Sequence, residues 1–241
     1  MPSTKLLFAG LALSFGLALN AFALPVAINL APNTQTNQWS FNYTSAEANL
    51  AVTGWSNNST SAKTIAQDRI GRWSGSGIGV ENANSPQHAV DNTNGDYDAL
   101  LLSFSTVVDL SNLSIGWVNN QTNDADVSLL AYTGAAPFSG NLNGFGSNWG
   151  ALLSNGWSVV GNYARNGTGQ FNVNASDVTS KYWLVSAYNS AFGSGNNLGV
   201  GNDYFKLKSV TIEAVKVPES STLLLMAMGL LGLVVARRRA A

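Results

Sequence analysis

From Trp39 to Val215 the chain alternates apolar and polar residues in short runs, separated by Asn, Gly, Asp and Ser. Side chains on a strand point to opposite faces with a period of two, so this pattern reads as a set of half-buried strands. Trp39-Ser40-Phe41-Asn42-Tyr43 is the plainest case. Further strands are expected at 100–104, 113–117, 127–132, 157–163, 171–173, 183–188 and 205–215. Helical spacing never persists beyond a turn or two in this interior, and only residues 60–67 suit a short helix. Short strands without intervening helices predict an all-β fold, an antiparallel β-sandwich of jelly-roll-like form. Long loops rich in Asn and Gly fall at 134–156, 162–169 and 189–202.

The composition excludes several functions. Charged residues are 10% of the chain and the net charge is −1, so the basic surface that nucleic-acid binding requires is missing. With no cysteine there are no disulfides, iron–sulfur clusters or thiol nucleophiles. His88 is the one histidine, which leaves no His-rich metal site. Seven Trp and 45% hydrophobic residues set the chain apart from disordered sequences. Its polarity comes from amides and hydroxyls, a surface that suits neutral, hydroxyl-rich polymers and equally any extracellular life at variable salt.

The two ends carry addresses. Lys5, the apolar stretch 6–19 and Ala21-Phe22-Ala23 have the order of a secretory signal peptide over residues 1–23, with small residues Ala21 and Ala23 at the cleavage site. The mature chain then starts at Leu24, and residues 24–216 form one extracellular domain. At the other end Val217-Pro218-Glu219-Ser220 precedes an apolar run at 222–236, then Arg237, Arg238 and Arg239. A helix over that run rises about 22 Å at 1.5 Å per residue, short of a hydrocarbon core of ~30 Å. The three arginines hold the C-terminus on the cytoplasmic side.

This order of motif, apolar helix and Arg cluster over residues 217–241 resembles the PEP-CTERM sorting signal of Gram-negative bacteria. Ser220 stands where the commonest motif has a second Pro. The resemblance implies an exosortase-type membrane transpeptidase as partner and a membrane-anchored precursor that reaches the cell surface or matrix. The interior is similar to a group of exosortase-dependent surface proteins. The residues that carry this are Gly75-Ser76-Gly77-Ile78-Gly79-Val80-Glu81, Ser85-Pro86-Gln87-His88-Ala89-Val90-Asp91-Asn92 and Asp96-Tyr97-Asp98-Ala99-Leu100-Leu101-Leu102-Ser103-Phe104. Ile115-Gly116-Trp117, Asp124-Ala125-Asp126 and Asn202-Asp203-Tyr204-Phe205-Lys206-Leu207 fit the same group.

The candidate chemistry is sparse. His88 is the one general base available, without a G-x-S-x-G elbow to serve, and reads as structural. Glu81, Asp96, Asp98, Asp124 and Asp126 are the acids from which a glycosidase pair could come, but i, i+2 acids more often cap turns or bind a cation. Residues 91–98, Asp-Asn-Thr-Asn-Gly-Asp-Tyr-Asp, pack oxygen ligands of the kind calcium takes, with Glu81 expected near, yet turn chemistry explains the same string. Gly75 to Gly79 marks a bend between strands. Neither catalytic nor cofactor-binding residues are therefore expected. Two functions stand: a non-catalytic surface or matrix protein associated with exopolysaccharide or biofilm, or a carbohydrate-binding module or weak glycoside hydrolase. The second would use Trp55, Trp149 or Trp157 as sugar platforms, and their exposure decides between platform and core.

Overall fold

A computed structural model describes residues 21–22, 24–32, 35–57, 64–81, 88–216, 227–229 and 237–238. The chain divides into a compact unit at Phe22–Val215 and a second unit made of its two ends, Met1–Ala21 and Lys216–Ala241. Among the described residues of the ends, Ala227–Gly229 and Arg237–Arg238 are helical, and no described helix is long and apolar enough to cross a membrane.

The first unit is antiparallel β throughout. Its strands are β1 (Ala21–Phe22, shared with the ends), β2 (Val26–Asn29), β3 (Thr36–Gln38), β4 (Ser40–Tyr43), β5 (Leu50–Ser56), β6 (Ala66–Trp73), β7 (Gly77–Glu81) and β8 (Val90–Asp91). Then come β9 (Asp98–Val118), β10 (Val127–Tyr132), β11 (Trp157–Tyr163), β12 (Gly169–Asn172), β13 (Thr179–Ala187) and β14 (Tyr204–Lys216). The described helical turns between them are 3-10 turns of three to seven residues.

The architecture follows from β9. Its first half pairs β5 on one side and β13 on the other, with Leu102 opposite Val52 and Trp183. Its second half pairs β14 and β12, with Leu113 opposite Val210 and Phe171. One strand thus runs through both layers. Leu50, Leu102, Phe104, Trp183 and Leu129 from one half meet Leu110, Ile115, Phe205, Leu207 and Ile212 from the other in a single core. Leucines 100–102 form an unbroken apolar run because this part of the sheet is covered on both faces. Leu101 and Leu184 face a second cluster, closed by Leu142, Trp149 and Leu152 from the 134–156 loop.

Two expectations differ from the structure. The strands expected at 100–104 and 113–117 are one strand, since residues 105–109 hold no Gly or Pro to break it and only their pairing partner changes. Ala66 and Gln67, placed in a short helix by the sequence, open β6 instead, paired with Ser56 and Trp55; residues 60–63 of that expected helix lie outside the described residues.

The Gly75 to Gly79 segment does form a bend. Gly77 takes φ +122°, open to glycine and strained for other residues. A Cβ on Gly79 would collide with the His88 carbonyl oxygen, where the 88–89 backbone crosses to let Val80 N–H donate to Ala89 O at 3.0 Å. Because the obstacle is backbone, Gly79→Ala should cost about 2 kcal/mol and lower Tm by roughly 4–8 °C. A thermal scan that left Tm within 1 °C of the parent would show that this crossing is not tight.

Candidate functional site

Three of the described acids converge at one place. Asp124 and Asp126 lie just before β10 and Asp203 just before β14, 77 residues further along. One carboxylate oxygen from each falls within 4.8 Å of the others. The backbone brings them together: Tyr204 N–H donates to Asp124 O at 3.2 Å, and Asp126 N–H to Asp203 Oδ1 at 2.7 Å. Arg165 N–H and Gly199 N–H donate to the two oxygens of Asp126, at 2.7 and 2.8 Å. The Asn202 amide donates to Asp124 Oδ2, and Ala125 N–H to Asp124 Oδ1 at 3.1 Å.

Asn92 closes the arrangement from the other side. Its Nδ2 donates to Asp203 Oδ2 at 2.5 Å and to Tyr188 O at 2.9 Å. Its Oδ1 accepts from Gly201 N–H and Asp203 N–H, at 3.0 and 3.1 Å. Five separate segments are thereby tied into one knot.

Electrostatics follow from burial. Asp203 is fully buried and Asp126 is 1% exposed. Burial, reinforced by the Asp126 and Asp124 charges, pushes the Asp203 carboxyl up to about 8, against the hydrogen bonds from Asp126 N–H and Asn92. Burial also raises Asp126. With both Asp126 and Asp203 raised by burial, the pair holds a proton at neutral pH more readily than exposed acids do. Together with Asp124 the oxygens are also the right donors for a hard divalent cation. The hydrogen bonds already on each carboxylate satisfy the knot with a proton alone.

The 91–98 string is a turn in the structure. Asp91 Oδ1 accepts from Thr93 N–H at 3.1 Å, Asp98 Oδ2 from Asp91 N–H at 3.4 Å, and Asn94 and Gly95 take positive φ. Asn57 Oδ1 holds Tyr97 N–H at 2.6 Å. Asp91, Asp96 and Asp98 are all buried, and burial raises Asp91. Glu81, expected beside this string, is engaged elsewhere. It accepts from Asn37 Nδ2 at 2.7 Å, and lies 3.8 Å from Arg69 Nε and 3.7 Å from His88 Nδ1. His88 itself adopts φ 71° and packs tilted against Trp73, ring centroids 4.5 Å apart. Burial lowers its pKa, opposed by Glu81 and assisted by Lys206.

The tryptophans proposed as sugar platforms are core. Trp55, Trp149 and Trp157 are 2%, 3% and 2% exposed. All three pack into the second cluster, which roofs the sheet with the 134–156 loop. Trp39, at 57%, is the exposed indole among the described residues. Asp203 and Asn202 escaped sequence reasoning as site residues, and Asn92 figures there only within the 91–98 string, since only tertiary pairing brings them to Asp124 and Asp126. Of the addressing residues, Ala21 begins β1 and Arg237 and Arg238 are exposed on a helical turn. Ala23, Val217, Pro218, Glu219 and Arg239 lie outside the described residues.

A mostly β chain with a large antiparallel sheet and a carboxylate knot in its loops defines the class. Residues 216–239 match the PEP-CTERM protein-sorting motif, so the chain carries the signal of an exosortase-sorted, exported surface protein. The match lies wholly in the tail. It accords with a membrane-anchored precursor in a Gram-negative bacterium and processing by an exosortase. No curated protein matches the chain.

Proposed function

We propose that the mature domain is a non-catalytic surface or matrix protein that associates with extracellular polysaccharide once an exosortase has processed its tail. The PEP-CTERM match at residues 216–239 carries this reading, because it supplies both the route and the destination. The domain's surface supports it: charged residues are only 10% of the chain, and amides and hydroxyls supply the wetting. Burial of Trp55, Trp149 and Trp157 removes the platforms on which a loop-borne hydrolase cleft would have rested. The reading needs no catalytic group and no cofactor.

Fractionating producing cells and weighing the exported protein tests it. The expected species sits in the surface or matrix fraction, begins at Leu24 and ends between Val217 and Ser220. Digesting the polysaccharide should release it. An intact Met1, or a full-length chain confined to the inner membrane, would overturn the reading.

A further inference from the structure

We propose that Trp73, Lys206 and Trp117 form a binding site for the carboxylate-bearing sugar units of an acidic polysaccharide. The inference rests on the polysaccharide reading above and names the chemistry of the polymer.

Lys206 is the anomaly. Along β14, Phe205 and Leu207 enter the core, so the period of two puts Lys206 on the outer face of the sheet. A lysine there is normally solvated, yet Lys206 is only 7% exposed. Two indoles cover it. Trp117, its cross-strand neighbour on β9, lies with its ring centroid 3.7 Å from Nζ. Trp73, arriving from β6, lies at 5.0 Å. Gly71 makes room for Trp73, whose ring occupies the space a Cβ on Gly71 would need.

Among the described residues the Lys206 ammonium has no carboxylate at ion-pair distance and no hydrogen-bond acceptor, only the two ring faces. Burial accordingly lowers it to about 8. Cation–π contacts offset part of the desolvation but leave the charge without an anion. The nearby acid, Glu81, is committed to Asn37, Arg69 and His88.

What the place lacks is therefore one negative charge, set between two partly exposed indoles. Indoles suit the C–H faces of pyranose rings, with their apolar bodies and polar N–H tips. Around them Asn37, His88 and the half-exposed Arg69 supply polar contacts of the kind sugar hydroxyls use. A uronate residue brings the ring and the carboxylate in one unit. The chain's net charge of −1 gives no general attraction for polyanions, so binding of this kind requires a local site.

Affinity electrophoresis of the full chain in detergent tests the assignment. The gels contain a polyuronate, its carboxyl-reduced form, neutral dextran or polyglutamate. Retardation is expected in the polyuronate, at least tenfold stronger than in the carboxyl-reduced polymer. Lys206→Met keeps the bulk of the stem and should lose that tenfold, while Lys208→Met, an exposed lysine two residues on, should change binding less than twofold. Circular dichroism of both variants must match the parent. Equal loss in both would reduce the effect to diffuse charge and overturn the site. Equal retention by polyglutamate would overturn the sugar. Equal retention by dextran would overturn the carboxylate while leaving the polysaccharide reading intact, and no retention by any polysaccharide would remove both.

Discussion

Replacing Pro218 and Glu219 together with Ala leaves full-length chain in the inner membrane and lowers the surface protein at least tenfold. The reason is in the marginal design of the tail. A helix over the apolar run at 222–236 would rise about 22 Å, against a hydrocarbon core of ~30 Å. Gly229 and Gly232 each cost roughly 1 kcal/mol of helix against Ala. Such a segment is poorly suited to staying put. Proline disfavours helical backbone in the residue before it, so the Pro218-Glu219 motif is the expected grip for a membrane transpeptidase. By the positive-inside rule Arg237 to Arg239 are expected to hold the orientation while that happens. The double variant removes the grip and leaves the anchor. Immunoblots of membrane and surface fractions, with intact masses, measure the outcome. Surface protein of normal mass and amount from the variant would make the tail dispensable and separate the motif match from its function.

How much of this could be read from sequence varies with the range of the interaction. Residues 127–132 and 157–163 coincide with β10 and β11 because their patterns are local. Strands β5 to β7 carry no such local pattern, because Gly54, Gly71, Gly77 and Gly79 interrupt the alternation there. Those glycines stand where another backbone or a ring comes close, as Leu207 does at Gly77 and Trp73 at Gly71. Trp55, Trp149 and Trp157 left core and platform both open, and the 134–156 loop settles it by folding over the sheet. Asp124 and Asp126 stood out as a pair, while their third member arrives from 77 residues away with no local signal. Lys206 falls between the core residues Phe205 and Leu207 on β14, the strand expected at 205–215. Its burial depends on a tryptophan from β6, which no pattern within β14 encodes.

Stability should pass through a minimum near pH 8, with its two limbs assigned to two residues. Asp203 ionises in the folded chain at about 8, against 3.8 ordinarily. Between those values the folded form keeps a proton that the unfolded chain has lost, so this group's contribution is fully present below pH ~4 and is lost as pH rises to about 8. At about 1.4 kcal/mol per pH unit the full window would be worth up to ~6 kcal/mol. Water entry and the coupling to Asp124 and Asp126 reduce that to on the order of 2–3 kcal/mol, or a fall in Tm of roughly 5–10 °C between pH 5 and 8. Asp68, Asp91, Asp109 and Asp126 are raised too and add the same sign. His88, lowered by burial, opposes them as pH rises through its range. Above pH 8 Lys206 takes over. Its folded value is about 8 and its ordinary one 10.5, so the unfolded chain now holds the extra proton and stability climbs with pH across that interval. Asp203→Asn should lose the Asn92 hydrogen bond and start lower at pH 5, yet fall less than half as far by pH 8. Lys206→Met should fall as the parent does and then fail to recover by pH 10. Thermal scans in EDTA at half-unit steps separate the two, and a repeat with calcium tests the knot's alternative occupant, which would flatten the acid limb by replacing the shared proton. If Asp203→Asn kept the parent's full fall from pH 5 to 8, the knot would not be the source of that limb, and the Asp203 carboxylate would already be ionised within its hydrogen bonds.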